Sequence, residues 1–224
     1  MSLDPIQQRY KYFADQNVEE GHFDVIFQFG TYQDSECASV AEASVINNEP
    51  LLQLHAHSFV LWPSSKVFEK TLFGPLAHKG PIPIIRHTLN DFKEFLTFLY
   101  LGKCNISMDN VMTLVDLGEY YEVQLLKNKC DEFLTKFITF ILTKNSTKIE
   151  NVLKVYESLK VYSLKNAMKK VMEFVAKNTV DILKSVEFLT VKKETIFDIA
   201  KMKNLTAKQE ELFEARIGLE FTLD

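Results

Sequence analysis

The sequence predicts an α+β chain, mainly α: a small sheet covered by helices, followed by a helical extension. Three observations carry this. Two short segments near the start, HFDVIFQFG and LLQLHAH, alternate apolar and polar residues as half-buried strands do. From Asn90 onward almost every segment repeats its apolar residues at three-to-four spacing, the period of a helix. A polar stretch from Lys144 to Lys148 interrupts that rhythm and marks a boundary.

Composition narrows the function classes. The chain has 224 residues, of which 46% are hydrophobic, so a real core is available. A net charge of -4 and a pI near 5.8 argue against direct nucleic-acid binding, which calls for a basic face. Lys165, Lys169 and Lys170, then Lys192 and Lys193, read as solvated helix faces, with phosphate binding as the alternative. No basic region followed by an apolar run suggests a secretory signal. No stretch reaches the roughly 18 apolar residues of a membrane span. Cys37, Cys104 and Cys130 are odd in number and widely spaced, which suits buried thiols in a reducing compartment, cytoplasmic or nuclear. The sequons at Asn105, Asn145 and Asn204 are then accidental.

In chain order, Asp4 to Asn17 reads as a helix, opened by Asp4-Pro5 and carrying Ile6, Tyr10 and Phe13 on one side. In the first strand Phe23, Val25, Phe27 and Phe29 share a face. Residues 31–50 read as a long loop insertion, far beyond the usual hairpin length. The second strand turns Leu52, Leu54 and Ala56 one way and Gln53, His55 and His57 the other. Pro63-Ser64-Ser65 opens a helix with Val67, Phe68 and Leu72, stopped by Gly74-Pro75. PIPII suits an edge strand, because proline cannot donate to a ladder.

Asn90 is the expected N-cap of DFKEFLTFLYLG, with Gly102 ending that helix. Cys104-Asn105-Ile106 reads as a short strand, and Ser107 as the cap of MDNVMTLVDLGEYY. A turn at Glu122 leads into LLKNKCDEFLTKFITFIL, apolar nearly all round and so expected to be buried between layers. Beyond the boundary, Val152, Val155, Tyr156 and Leu159 line one helix, and Leu164, Met168, Val171 and Val175 line its partner. Two more helices are expected around Glu194 to Met202 and Lys208 to Leu219.

Four ordered blocks, FDVIFQF, HAHSFVL with SSKVF and LFG, FLTFLYLG, and LVDLGEYYEVQLLKNKCDEFL, resemble the BTB/POZ domain. The later blocks NVLKVYESLKVYSLKNAMKKVMEFVAKN, VEFLTV and LTAKQEELFEARIGLE resemble the start of a BACK domain. The expected organisation is an N-terminal dimerisation helix in 1–22, a BTB/POZ domain in 23–143 and a partial BACK domain in 144–224. The resemblance implies a protein-interaction adaptor without an active site. It implies a homodimer through Ile6, Tyr10, Phe13, Phe23 and Asp24, and a contact with cullin-3 through Leu76, His78 and Tyr121. The recruited substrate protein is not indicated. No cofactor, metal or membrane is implied.

Two positions depart from the family pattern. Many relatives place a hydrophobic-x-Glu motif where this chain reads Leu76-Ala77-His78, so the acid is replaced by an imidazole. Repressor-type relatives pair a buried Asp on the first strand with a base. Here Asp24 supplies the acid but Ser58 stands in place of the base. A buried Asp24 is therefore expected to take hydrogen bonds from backbone or hydroxyl groups. The apolar side of the first helix is left open to a second subunit, with folding back onto its own subunit as the alternative.

The chemical alternatives are thin. His55 and His57 alternate on one strand face and, with Cys37, could reach one metal ion, yet no second ligand pair follows. A Cys-His enzyme would use Cys104 or Cys130, but no oxyanion-hole or elbow pattern accompanies either. His57 reads as structural. Trp62 reads as a packed junction residue or, alternatively, an exposed anchor. The paired helices of the second part either pack on the first or form a peptide groove. The functional expectation is a dimeric cullin-3 adaptor of a ubiquitin ligase, or a self-associating scaffold in transcription or cytoskeletal assembly.

Overall fold

The computed structural model describes residues 4–30, 52–143 and 151–207. The chain divides into two compact units, 1–127 and 128–224. The expected 31–50 loop, the Lys144–Lys148 boundary and the last expected helix lie outside the described residues.

The first unit opens with α1 (Pro5–Asp15), capped by Asp4, whose carboxylate accepts from the Ile6 N–H, and with the single turn α2 (Val18–Gly21). A three-stranded sheet follows in the order β2-β1-β3. β1 (Val25–Phe29) pairs antiparallel with β2 (Leu52–Ala56) and parallel with β3 (Ile82–Ile84). The alternation predicted for β1 holds: Val25, Phe27 and Phe29 are buried. β3 sits at the sheet edge, where Pro83 costs no ladder donor.

Two helices, not one, follow β2: α3 (Ser58–Ser64) and α4 (Lys66–Phe73). Pro63 lies in the last turn of α3, and Ser65 caps α4 by accepting from the Phe68 N–H. α5 (Leu89–Leu101) is capped by Thr88 rather than Asn90. The Thr88 hydroxyl accepts from the Asp91 N–H and donates to the Asp91 carboxylate. Gly102 ends it at φ +69°, a left-handed conformation that favours glycine.

Residues 104–106 form no strand; the Asn105 N–H goes to the Glu94 carboxylate instead. α6 (Val111–Tyr120) begins four residues after the expected Ser107 cap, and α7 (Gln124–Thr143) follows the Glu122 turn at φ +56°. α7 is amphipathic rather than apolar all round. Leu126, Cys130, Leu134 and Ile138 are buried at i, i+4 spacing, while Leu125 and Phe140 are exposed.

An aromatic cluster forms the core of the first unit. Tyr121 stacks on Phe68 at 4.4 Å and on Phe95 at 5.0 Å, and Phe92 meets Phe27 edge-on at 4.9 Å. Each such ring contributes about 1.5–3 kcal/mol by leaving water, and each pair about 0.5–1.5 kcal/mol more.

The second unit is helical and opens with the greater part of α7. α8 (Val152–Val161) and α9 (Lys165–Lys177) pair through Leu153, Tyr156 and Leu159 on one side and Val171 and Val175 on the other. Val155, expected in that seam, is exposed. α10 (Thr179–Leu183), a 3-10 turn at Val186–Thr190 and α11 (Lys193–Ala200) complete it. No helix among the described residues is long and apolar enough to cross a membrane.

Candidate interaction surfaces

The strand-to-helix junction after β2 is built by the polar side chains of Gln16, Asp24, His57, Ser58 and Tyr100. The Asp24 carboxylate accepts from the Ser58 N–H at 2.7 Å and from the Ser58 hydroxyl at 2.5 Å. It thereby caps α3 from the residue just before β1, by a bond to an N-terminal amide. Bonding to backbone and hydroxyl was the expected arrangement, but Asp24 is exposed in this chain, not buried, so no desolvation cost has to be offset.

His57 is buried, with both ring nitrogens engaged. Nε2 lies 2.6 Å from the Gly21 carbonyl and therefore carries the proton; Nδ1, at 2.7 Å, then accepts from the Tyr100 hydroxyl. That hydroxyl also accepts from the His57 N–H at 3.0 Å. Burial pushes the Tyr100 phenol well above its ordinary range, Asp24 adds to this, and the His57 amide opposes it. Gln16 locks the neighbouring position: its side-chain amide donates to the His55 carbonyl and accepts from the His55 N–H, like a strand partner.

This junction lies beneath an apolar face. Phe13 is fully buried, stacked on Tyr100 at 4.4 Å, so it belongs to the subunit's own core. Phe23 is half-buried against His55 and His57. Tyr10 is half-buried and Ile6 and Tyr12 are exposed on α1. Tyr12 shares a concavity of about 360 Å³ with Arg9, Glu20, Asp24, His57 and Phe59. Phe59 is 50% exposed, and Trp62, one turn further along α3, is 45% exposed. Trp62 is thus not a packed junction residue. The sequence alone does not pair Phe59 with Trp62; their i, i+3 spacing signals a shared face only once α3 is recognised.

A second surface follows α4. The chain turns back through bonds from the Gly74 N–H to Lys70, from the Ala77 N–H to Gly74 and from the His78 N–H to Thr71. That turn holds Leu76 at 95% exposure beside the exposed Phe73. His78 shares the turn, and its Nε2–H donates to the Pro81 carbonyl at 2.9 Å. Tyr121 does not join them at the surface. It is part of the aromatic core, its phenol raised above its ordinary range by burial, and its carbonyl accepts from Ser65. The exposed aromatic at that end of α6 is Tyr120.

Among the described residues no group of three or more His, Cys, Asp and Glu side chains could hold a metal ion. Cys37 lies outside them. Burial, reinforced by Glu94, pushes the Cys104 thiol up to about 12, which keeps it protonated and a poor nucleophile. Cys130 is fully buried.

Comparison with known proteins accounts for this arrangement. Residues 45–138 match the BTB/POZ domain, and residues 152–217 match the BACK domain, "BTB And C-terminal Kelch". "BTB/POZ domain-containing protein 9" of Homo sapiens is 23% identical over 169 residues, covering 73% of this chain and 26% of its own length. "Kelch-like protein 21" of Danio rerio is 21% identical over 161 residues, covering 71% and 25%. "Kelch-like protein 24" of Homo sapiens is 26% identical over 122 residues, covering 54% and 19%. The chain therefore spans about a quarter or less of the length of these relatives. The solved BTB (Tramtrack and Bric a brac) domain of human Gigaxonin aligns over 59% of this chain and 95% of its own, at 16% identity and a TM-score of 0.37. With the two domain matches in sequence order along it, the chain belongs to the BTB–BACK family.

Proposed function

We propose that this BTB–BACK chain is a homodimeric adaptor that binds cullin-3 and links a ubiquitin ligase to a substrate protein, in the cytoplasm or nucleus. The observation that carries the reading is Leu76, a leucine held 95% exposed on an ordered turn. A soluble surface gains nothing from presenting one large apolar side chain so fully; a partner pocket gains the burial of a whole side chain. Phe73 widens the apolar contact. The dimer face in this reading comprises Ile6, Tyr10 and Tyr12 of α1 with Phe59 and Trp62 of α3. Phe13 supports α1 from beneath, and Phe23 and Asp24 hold the junction.

Titration calorimetry of the chain with the N-terminal part of cullin-3 tests the ligase contact. Binding is expected at micromolar concentration, with Leu76→Asp weakening it by about 2 kcal/mol or more, roughly thirtyfold. No complex at tens of micromolar protein would overturn the reading.

A specific observation favours the alternative, a self-associating scaffold that engages no ligase. Where many relatives offer a carboxylate, His78 offers an imidazole whose Nε2–H is already given to Pro81. That reading predicts a dimer by light scattering and no heat with cullin-3.

A further inference from the structure

We infer that the groove between α7 and α9 in the second unit docks an acidic peptide segment of a partner protein. The groove is a cavity of about 310 Å³ lined by Glu132, Thr135 and Lys136 of α7 and by Asn166, Lys169 and Lys170 of α9. Along α9, Lys165, Lys169, Glu173 and Lys177 stand at i, i+4 spacing and are all exposed. The two acids near the groove already have partners. Lys129 bonds Glu132 at 3.1 Å, and Lys170 bonds Glu173 at 2.8 Å. Lys136, Lys165, Lys169 and Lys177 make no ion pair or hydrogen bond among the described residues.

The start of α9 contributes little to this positive field, because it is already answered from within. The buried Asp131 carboxylate accepts from the Asn166 N–H at 3.0 Å, the Ala167 N–H at 2.9 Å and the Asn166 side-chain amide at 2.9 Å. What remains is a row of ammonium groups on flexible stems. Such point charges suit carboxylates spread along an extended segment better than one oxyanion seated at a helix end. The local field also shows in Glu173, whose carboxyl is held below its ordinary value by its bond to Lys170 and by Lys169 and Lys177 nearby.

The net charge of -4 conceals this face. Residues 128–224 carry seventeen basic and fourteen acidic side chains, a net of +3, whereas residues 1–127 carry nine and sixteen, a net of -7. Glu132 and Glu173 punctuate the lysine row, which opposes a continuous phosphate backbone and favours a peptide whose charges are spaced. The inference is independent of the cullin contact, since no residue of the Leu76 turn takes part.

The test is fluorescence anisotropy of the whole chain with a labelled peptide of about twelve residues alternating Glu and Ser. The expected result is saturable, salt-sensitive binding that the doubly substituted Lys136→Glu, Lys169→Glu chain weakens about tenfold or more. Lys192→Glu with Lys193→Glu changes the net charge equally at exposed lysines elsewhere on the unit, and is expected to leave the affinity within about twofold. Equal weakening by both pairs, absence of binding, or tighter binding of a labelled oligothymidine would overturn the inference. Should charge reversal unfold the chain by circular dichroism, Lys136→Gln with Lys169→Gln replaces it; unchanged affinity there would also overturn the inference.

Discussion

At His57 one side chain joins three segments: the chain just past β2 that carries it, the carbonyl of Gly21 at the end of α2, and the hydroxyl of Tyr100 on α5. Both ring nitrogens are engaged by protein groups, and no capacity is left for a metal. Tyr100→Phe would keep the stacking with Phe13 but leave the His57 N–H and Nδ1 unpaired in a buried site. The expected cost is about 2 kcal/mol in urea unfolding; unchanged stability would show that the bonds are not holding the junction. A second histidine sets a pH response. Burial holds the His87 imidazole below 6.5, with Asp116 and Asp91 pulling upward and Arg86 pushing further down. The unfolded chain therefore binds the proton before the folded one. Stability is expected to fall as pH drops from about 7 through the lowered folded value and then to level off, as far as this group is concerned. His87→Gln should remove that component of the slope in denaturant titrations at successive pH values. A slope identical to that of the parent protein would assign it elsewhere.

Helix starts show which physics a sequence displays. α5 is capped locally by Thr88 and Asp91, three residues apart, and the pattern was readable though assigned two residues late. α3 and α9 are capped from a distance: Asp24 serves α3 across 34 residues, and Asp131 serves α9 across 35. Nothing adjacent in the sequence announces either. Residues 58–62 therefore carry no helix signal of their own, and the sequence suggests a helix start only at Pro63-Ser64-Ser65. Asp131→Ala would strand two backbone amides, that of the buried Ala167 among them, and one side-chain amide at the start of α9. It is expected to lower stability by about 2–3 kcal/mol, and Asp131→Asn by less, since asparagine still accepts one such bond. Thermal melts of the two variants check this; equal losses would mean that packing rather than capping is at stake. The misassigned strand at 104–106 has the same origin, because its amide is taken by Glu94 of α5 rather than by a neighbouring strand.

For the molecule as a whole, periodicity told which faces are apolar, and the sheet, its proline-bearing edge and the paired helices of the second unit followed from it. Periodicity could not tell which apolar faces the chain covers by itself. Phe13 and Tyr121 were expected at interfaces and lie in the core, whereas Phe59, Trp62 and Tyr120 remain outside. Coverage depends on contacts between segments dozens of residues apart, as when Phe13 of α1 reaches Tyr100 of α5. The uncovered set is the informative one, and Trp62, the single tryptophan of the chain, makes it observable. If α1 and α3 form the dimer face, light scattering should give twice the chain mass. Tryptophan emission should shift to shorter wavelength as concentration rises through the dissociation constant, because the indole leaves water. Phe59→Glu places a charge at the centre of that face at a position already 50% exposed, so the subunit itself should lose no more than about 1 kcal/mol. The expected outcome is a folded monomer whose emission is independent of concentration and whose Leu76 turn still presents its side chain to cullin-3. A wild-type monomer at high concentration, or a Phe59→Glu chain that stays dimeric, would remove α3 from the interface. Cullin-3 binding retained by the monomeric variant would separate the two surfaces, one for self-association and one for the ligase.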